Sequence, residues 1–185
     1  MTAASRAPVC RILLRFVAAF ACALVLDGAA AAELVPSSGA QAPPLALRDL
    51  AGRDIRLADF RGRTVIVNFW ATWCAPCVKE MPSLQRLRDR LAGDGLTVIA
   101  VNYQENAARI QPFLDRMRLD LTVVRDHDGS VRDAWDVNVF PTTFVVNPNQ
   151  RIALVAVGEI DWDDAQVEAR IRELGGRPRT VAERR

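Results

Sequence analysis

The sequence has a single histidine among 185 residues. A tetrahedral zinc site draws four ligands from cysteine, histidine and carboxylate side chains. His127 and one close cysteine pair do not complete such a set. Cysteine is also scarce, with four in all, at positions 10, 22, 74 and 77. A small exported domain held together by disulfides spreads several cysteines along its length, and that class is excluded. No basic surplus is available for nucleic acid. Three of the 24 Lys and Arg and one of the 22 Asp and Glu precede residue 33, so the remainder of the chain balances to zero. No apolar run approaches the roughly 20 residues that span a bilayer as a helix. Internal repeats are absent, and the alanines at 29–32 are the only low-complexity stretch. What remains is a chain that is half apolar and one quarter charged, with enough material for one globular core.

The first 32 residues stand apart. Arg6, Arg11 and Arg15 precede an uninterrupted apolar run from Phe16 to Leu26, and Ala29 to Ala32 follow. A basic start, a short apolar middle and a small-residue end make the pattern of a secretory signal peptide. An uncleaved anchor and a lipoprotein at Cys22 are the alternatives, the latter weakened by Phe20 and the short apolar stretch. Cleavage would leave Cys74 and Cys77 as the only thiols, and one close pair reads as redox chemistry or metal binding. Residues 33–44 carry Pro36, Gly39, Pro43 and Pro44 and read as a linker. Residues 45–176 read as the folded domain, and 177–185 as a polar, frayed tail.

Within the domain, Leu45–Leu47 and Ile55–Leu57 flank a turn and predict a small hairpin at a sheet edge. Val65–Trp70 is almost wholly apolar and β-branched or aromatic, as expected of a strand buried on both faces. A helix is expected from about Ala75 to Leu91. Cys77, Met81, Leu84, Leu87 and Leu91 form its apolar stripe, and Pro76 is acceptable in its first turn. Leu96–Val101, Leu121–Val124, Thr142–Val146 and Ile152–Val157 predict further strands. Ile110–Met117 and one or two turns over Ser130–Trp135 predict helices. A last helix is expected to be capped near Asp161 and to stop before Gly175. The alternation implies an α/β domain with a mixed sheet covered on both faces.

The chemistry gathers at Cys74-Ala75-Pro76-Cys77. Cysteines three positions apart in a helical turn can close a disulfide. The first lies at the helix start, where unpaired N–H groups and the helix dipole favour a thiolate. Cys77, one turn in, is placed to attack Cys74 once Cys74 is bound to a substrate sulfur. A structural disulfide is the bland alternative, though so short a loop constrains little chain.

The segment Asn68-Phe69-Trp70-Ala71-Thr72-Trp73-Cys74-Ala75-Pro76-Cys77, with Glu80-Met81-Pro82 after it, resembles the thioredoxin superfamily. It is most similar to the exported TlpA-like and ResA-like thiol–disulfide oxidoreductases, over roughly residues 40–175. The resemblance implies a thioredoxin fold with an N-terminal hairpin extension and a central insertion. It implies a cis peptide bond at Phe140-Pro141, beside the cysteines, where a substrate strand pairs. Trp73, Pro76, Phe140 and Pro141 are then the substrate-contacting residues. No cofactor or metal is implied. Thioredoxin itself typically has a buried Asp where this chain has Asn68, so another group must assist Cys77. Glu80, on the helical face of Cys77, matches the family pattern C-x-x-C-x-x-E and is the candidate; a solvated surface carboxylate is its alternative. Trp70, Trp135 and Trp162 read as packing residues, and His127 as a surface residue.

The resemblance further implies a monomeric periplasmic reductase of protein disulfides. Its electrons would come from a membrane thiol carrier of the CcdA or DsbD type, and its substrates would be of the cytochrome c or cytochrome oxidase assembly kind. The cytochrome-maturation branch often has Pro-Glu-Thr where this chain has Pro141-Thr142-Thr143. A disulfide-forming oxidase of the same fold and a copper-binding assembly protein are the competing readings. The Ala75-Pro76 dipeptide speaks mildly against the first. The wider cysteine spacing of Sco-like copper proteins speaks against the second. A peroxiredoxin is weaker still, since the Thr-x-x-Cys surroundings are absent.

Overall fold

A computed structural model describes residues 32–175 of the chain. The segment expected to be a signal lies outside the described residues except for Ala32, and the tail from 177 lies wholly outside them. Strand β4 (Val65–Trp70) is the centre of the molecule, with all six residues buried. Ile66, Asn68 and Trp70 face one side of the sheet and Val65, Val67 and Phe69 the other. Two apolar clusters divide along that alternation. Each fully buried Val, Ile or Phe contributes about 1.5–3 kcal/mol, so β4 is the natural spine of both.

A six-stranded sheet is built around it in the order β1-β8-β7-β4-β5-β6. Here β1 is Val35–Pro36, β5 Thr97–Tyr103, β6 Thr122–Asp126, β7 Thr142–Val146 and β8 Ile152–Val157. β5 lies parallel to β4, and β6 parallel to β5. β7 and β8 return antiparallel. Helices α1 (Ala75–Leu91) and α2 (Ala107–Met117) and the last helix α4 (Ala165–Leu174) bury apolar side chains in the Trp70 cluster. The short α3 (Ser130–Ala134), with Ala42 and Leu45 of the N-terminal segment, covers the Phe69 side. This is an α/β thioredoxin fold, with α2 and the edge strand β6 inserted between β5 and the antiparallel pair.

Three sequence expectations are corrected. Residues 33–44, expected as a linker, lie along the sheet. Val35 and Pro36 pair with Val155 and Leu154, Gln41 bridges Arg151, and Leu34 and Ala42 are buried. Proline is tolerated there because β1 is an edge strand. The hairpin, β2 (Ala46–Arg48) with β3 (Asp54–Arg56), forms a two-stranded ladder of its own and lies at the edge of the main sheet, as expected, where Asp49 bridges Val124 of β6. Leu57, expected in its second strand, starts a 3-10 turn instead. The last helix is capped three residues later than expected, by Asp164, whose carboxylate accepts from the Gln166 and Val167 amides at 2.6 and 3.2 Å. Asp161 and Asp164 are equally good caps by residue type; Trp162, fully buried, must enter the core before the helix can begin.

That cap gives a first prediction. Asp164→Ala is expected to cost about 1 kcal/mol, or roughly 2–4 °C in melting temperature. A thermal melt checks it, and an unchanged midpoint would show that the cap bonds contribute nothing.

Candidate active site

The end of β4 delivers the chain to the site. After Trp70 the backbone leaves the sheet, and Cys74 serves as the N-cap of α1, with extended φ and ψ. Its Sγ accepts the Cys77 amide at 3.3 Å. Cys74 and Cys77 are joined as a disulfide, with Cα atoms 5.3 Å apart. Pro76 sits in the first turn, where a missing N–H costs no helical hydrogen bond. Cys74 is 5 % exposed and Cys77 fully buried. Trp73, by contrast, is 58 % exposed.

The Phe140–Pro141 bond is cis, immediately before β7. The Phe140 ring meets Trp73 edge-on at 5.8 Å and Tyr103 at 5.2 Å. Trp73 and Phe140, far apart in sequence, thus share one aromatic surface beside the cysteines. Tyr103, at the end of β5, is an addition that no motif signalled. Pro76 is exposed and Pro141 buried.

Glu80 is not a solvated carboxylate. It is 2 % exposed, on the apolar face of α1 one turn beyond Cys77. Asn68 Nδ2 donates to Oε1 at 2.7 Å, and the Ile160 amide donates to Oε2 at 2.9 Å. Asn68 also donates to Thr143 Oγ1 at 2.9 Å. Burial pushes the Glu80 carboxyl up to about 7, against the lowering effect of the Ile160 and Asn68 bonds. The Trp162 indole N–H adds a weaker lowering effect but makes no full hydrogen bond among the described residues. The Glu159 charge works in the opposite direction, and its carboxylate is paired with Lys79 at 2.6 Å. Asn68 therefore replaces an acid with a donor that holds one. The sequence offered the pattern Cys-x-x-Cys-x-x-Glu, but nothing in it signalled Thr143 or the Ile160 amide.

The other residues weighed in the sequence fall into place as packing or surface. Trp70 packs tilted against Phe113 at 5.5 Å, and Trp135 contacts Phe69 and Phe144 at 5.8 and 5.0 Å. His127 is exposed, on the rim of a shallow cleft with Arg48, Arg56 and Arg125. Among the described residues, no three His, Cys, Asp or Glu side chains are grouped to hold a metal.

A disulfide of two cysteines at the start of the first helix after a buried central strand, facing a cis-proline loop, defines a thioredoxin-fold protein of disulfide exchange. Residues 38–155 match the AhpC/TSA family, and the chain belongs to that family as a thiol–disulfide oxidoreductase of the ResA and DsbE type. It is 38 % identical over 122 residues to the thiol-disulfide oxidoreductase ResA of Bacillus subtilis, covering 66 % of this chain and 68 % of that one. A Chlorobium tepidum structure assigned as a thiol:disulfide interchange protein DsbE superimposes with a TM-score of 0.70 at 29 % identity, over 76 % of this chain and 99 % of that one. A secreted thiol-disulfide isomerase of Corynebacterium glutamicum does so with a TM-score of 0.68 at 28 % identity, over 80 % and 95 %.

Proposed function

We propose that the chain is an exported, monomeric reductase of protein disulfides, with Cys74 as the attacking sulfur, Cys77 as the resolving one and Glu80 as the proton acceptor for Cys77. The reduced protein starts the cycle. Cys74 thiolate attacks one sulfur of a substrate disulfide, and the other sulfur leaves as a thiolate. Cys77 then gives its proton to Glu80 and attacks Cys74 Sγ. The second substrate sulfur leaves, and two electrons have passed from the cysteine pair to the substrate. A membrane thiol carrier of the CcdA or DsbD type restores the dithiol. Trp73, Pro76, Phe140 and Pro141 receive the substrate segment, which belongs to the class of cytochrome c or cytochrome oxidase assembly proteins. Neither cofactor nor metal takes part.

The observation that carries this reading is the buried carboxyl of Glu80, one turn beyond Cys77 and poised near neutrality. A purely structural disulfide has no use for it. An acid titrating near the working pH accepts and returns a proton efficiently. Export is supported by the arginine-led apolar run of the first 32 residues. Among the described residues, no helix is long and apolar enough to cross a membrane.

The test is a trap. With Cys77→Ser, expressed with its own N-terminus, Cys74 is expected to accumulate mixed disulfides with a small set of cysteine-pair proteins. These release on adding dithiothreitol. The reduction potential of the parent protein is expected on the reducing side of about −180 mV. A potential near the roughly −120 mV of a strong oxidant would reverse the direction and make the chain an oxidase.

A further inference from the structure

Strand β4 ends at Trp70, and only Ala71, Thr72 and Trp73 separate it from the cap of α1. Those three residues belong to neither ladder nor helix. Their backbone donors need partners from elsewhere, since a buried unpaired N–H costs as much as a lost hydrogen bond. The Thr72 amide finds its partner across the fold, at Glu105. This glutamate follows β5 and stands just before Asn106, the cap of α2.

Glu105 is 7 % exposed and saturated with donors. Its Oε2 accepts the Thr72 amide at 2.7 Å and Asn102 Nδ2 at 2.8 Å. Its Oε1 accepts the Thr72 hydroxyl at 2.5 Å and faces Arg109 Nε at 2.7 Å. Arg109 Nε also donates to Thr72 Oγ1 at 2.9 Å, closing a triangle. Burial alone would push this carboxyl up. The bonds from Thr72 and Asn102 and the Arg109 charge outweigh it, so Glu105 stays below the ordinary carboxylate range. The two buried glutamates on this side of the sheet are thus biased in opposite directions: Glu80 towards its acid, Glu105 towards its anion.

A permanent carboxylate holding both the amide and the hydroxyl of one loop residue does more than satisfy a donor. It fixes Thr72 at two points, two residues ahead of Cys74. Trp73 and the capping geometry of Cys74 are set by where Thr72 is held. Arg109, 61 % exposed at its side chain, is the outer arm of the clamp.

We propose that Glu105 is a positioning residue for disulfide exchange, acting through Thr72, with Arg109 as its outer partner, to hold Trp73 and Cys74 in attacking register. The inference rests on Cys74 being the attacking sulfur.

Thr72→Val, which keeps the shape and the backbone amide but removes the hydroxyl, is expected to slow insulin disulfide reduction about tenfold. Thr72→Ser is expected to restore most of that loss. Glu105→Gln, which leaves one donor facing an NH2 group and removes the charge facing Arg109, is expected to slow it further. Adding Thr72→Val to Glu105→Gln should cost less than the two single losses multiplied together. The separating measurement is the pH profile of iodoacetamide reaction at Cys74 in the reduced protein. A loosened helix start aligns fewer N–H groups on the thiolate, so the profile should move to higher pH in both single variants while their melting curves remain cooperative.

If Glu105→Gln does not fold, Thr72→Val and Arg109→Met carry the same test from the half-buried and the exposed arm of the clamp. Rates and pH profiles within twofold of the parent in Thr72→Val and Arg109→Met overturn the clamp. Activity that survives Cys74→Ser is a different failure, which removes the proposed chemistry itself.

Discussion

Cys74→Ser is expected to drop disulfide reduction to the uncatalysed background, whereas Cys77→Ser leaves a single attack and no turnover. The difference follows from position on the helix. Cys74 is the cap, ahead of the free N–H groups of the first turn, with its Sγ already accepting the Cys77 amide at 3.3 Å. A thiolate there is stabilised by those groups and by the helix dipole. A serine hydroxyl in the same place does not ionise near neutral pH and does not open a disulfide. Cys77 is fully buried under the first turn, so Cys74 Sγ in a mixed disulfide is within its reach but a substrate in solution is not. Stopped assays with a disulfide reporter should show no release with Cys74→Ser. With Cys77→Ser they should show one equivalent of release and one adduct per protein. A full equivalent from Cys74→Ser would exchange the two roles.

Glu80→Gln has a second large effect, visible in both stability and rate. The Glu80 carboxyl stands at about 7 in the fold, against 4.5 for an ordinary glutamate. Below pH 4.5 both folded and unfolded chains hold the proton. Between 4.5 and 7 the unfolded chain has lost it and the folded one keeps it. Stability from this group is therefore full at low pH and is lost as pH rises through about 7. At 1.36 kcal/mol per unit the loss is about 3 kcal/mol. Glutamine does not titrate, so the melting temperature of Glu80→Gln should gain on the parent steadily from pH 4.5 to 7.5. Parallel curves would show that Glu80 is not the buried acid.

The same substitution removes the group proposed to take the Cys77 proton. General acid–base groups contribute about 10²–10⁴-fold, and the low end, about 10²-fold in kcat, is expected here. The limb of the rate profile near pH 7 should vanish with it. A rate profile that keeps that limb would place the proton elsewhere.

Much of the fold is legible in the sequence, for physical reasons. Val65–Trp70, Thr142–Val146 and Ile152–Val157 are short apolar runs rich in β-branched residues, and Ala75–Leu91 carries one helical stripe opened by a capping residue. For these the expected and observed boundaries agree. Elsewhere the local signals are equal or absent. Asp161 and Asp164 compete as caps, and the burial of Trp162 decides between them. Residues 33–44 look like a linker because Pro36, Pro43 and Pro44 break regular structure, yet an edge strand needs only half of its backbone donors. The hairpin at the sheet edge is legible, but its partner there, Val124 of β6, is not, because that bridge joins distant segments.

The sequence alone determined the chemistry: two sulfurs one helical turn apart, at the start of a helix that a buried strand delivers. Spacing and residue type are properties of a short stretch, and they survive without the rest of the fold. Only the tertiary structure decided the state of the acids. Glu80 and Glu105 are alike in sequence, and both are buried. One meets two neutral donors and lacks a countercharge. The other meets Thr72 twice, Asn102 once and a cation. A carboxyl's protonation depends on what surrounds it in space, and those neighbours come from β4, β5, α2 and the loop after β8, which only folding brings together.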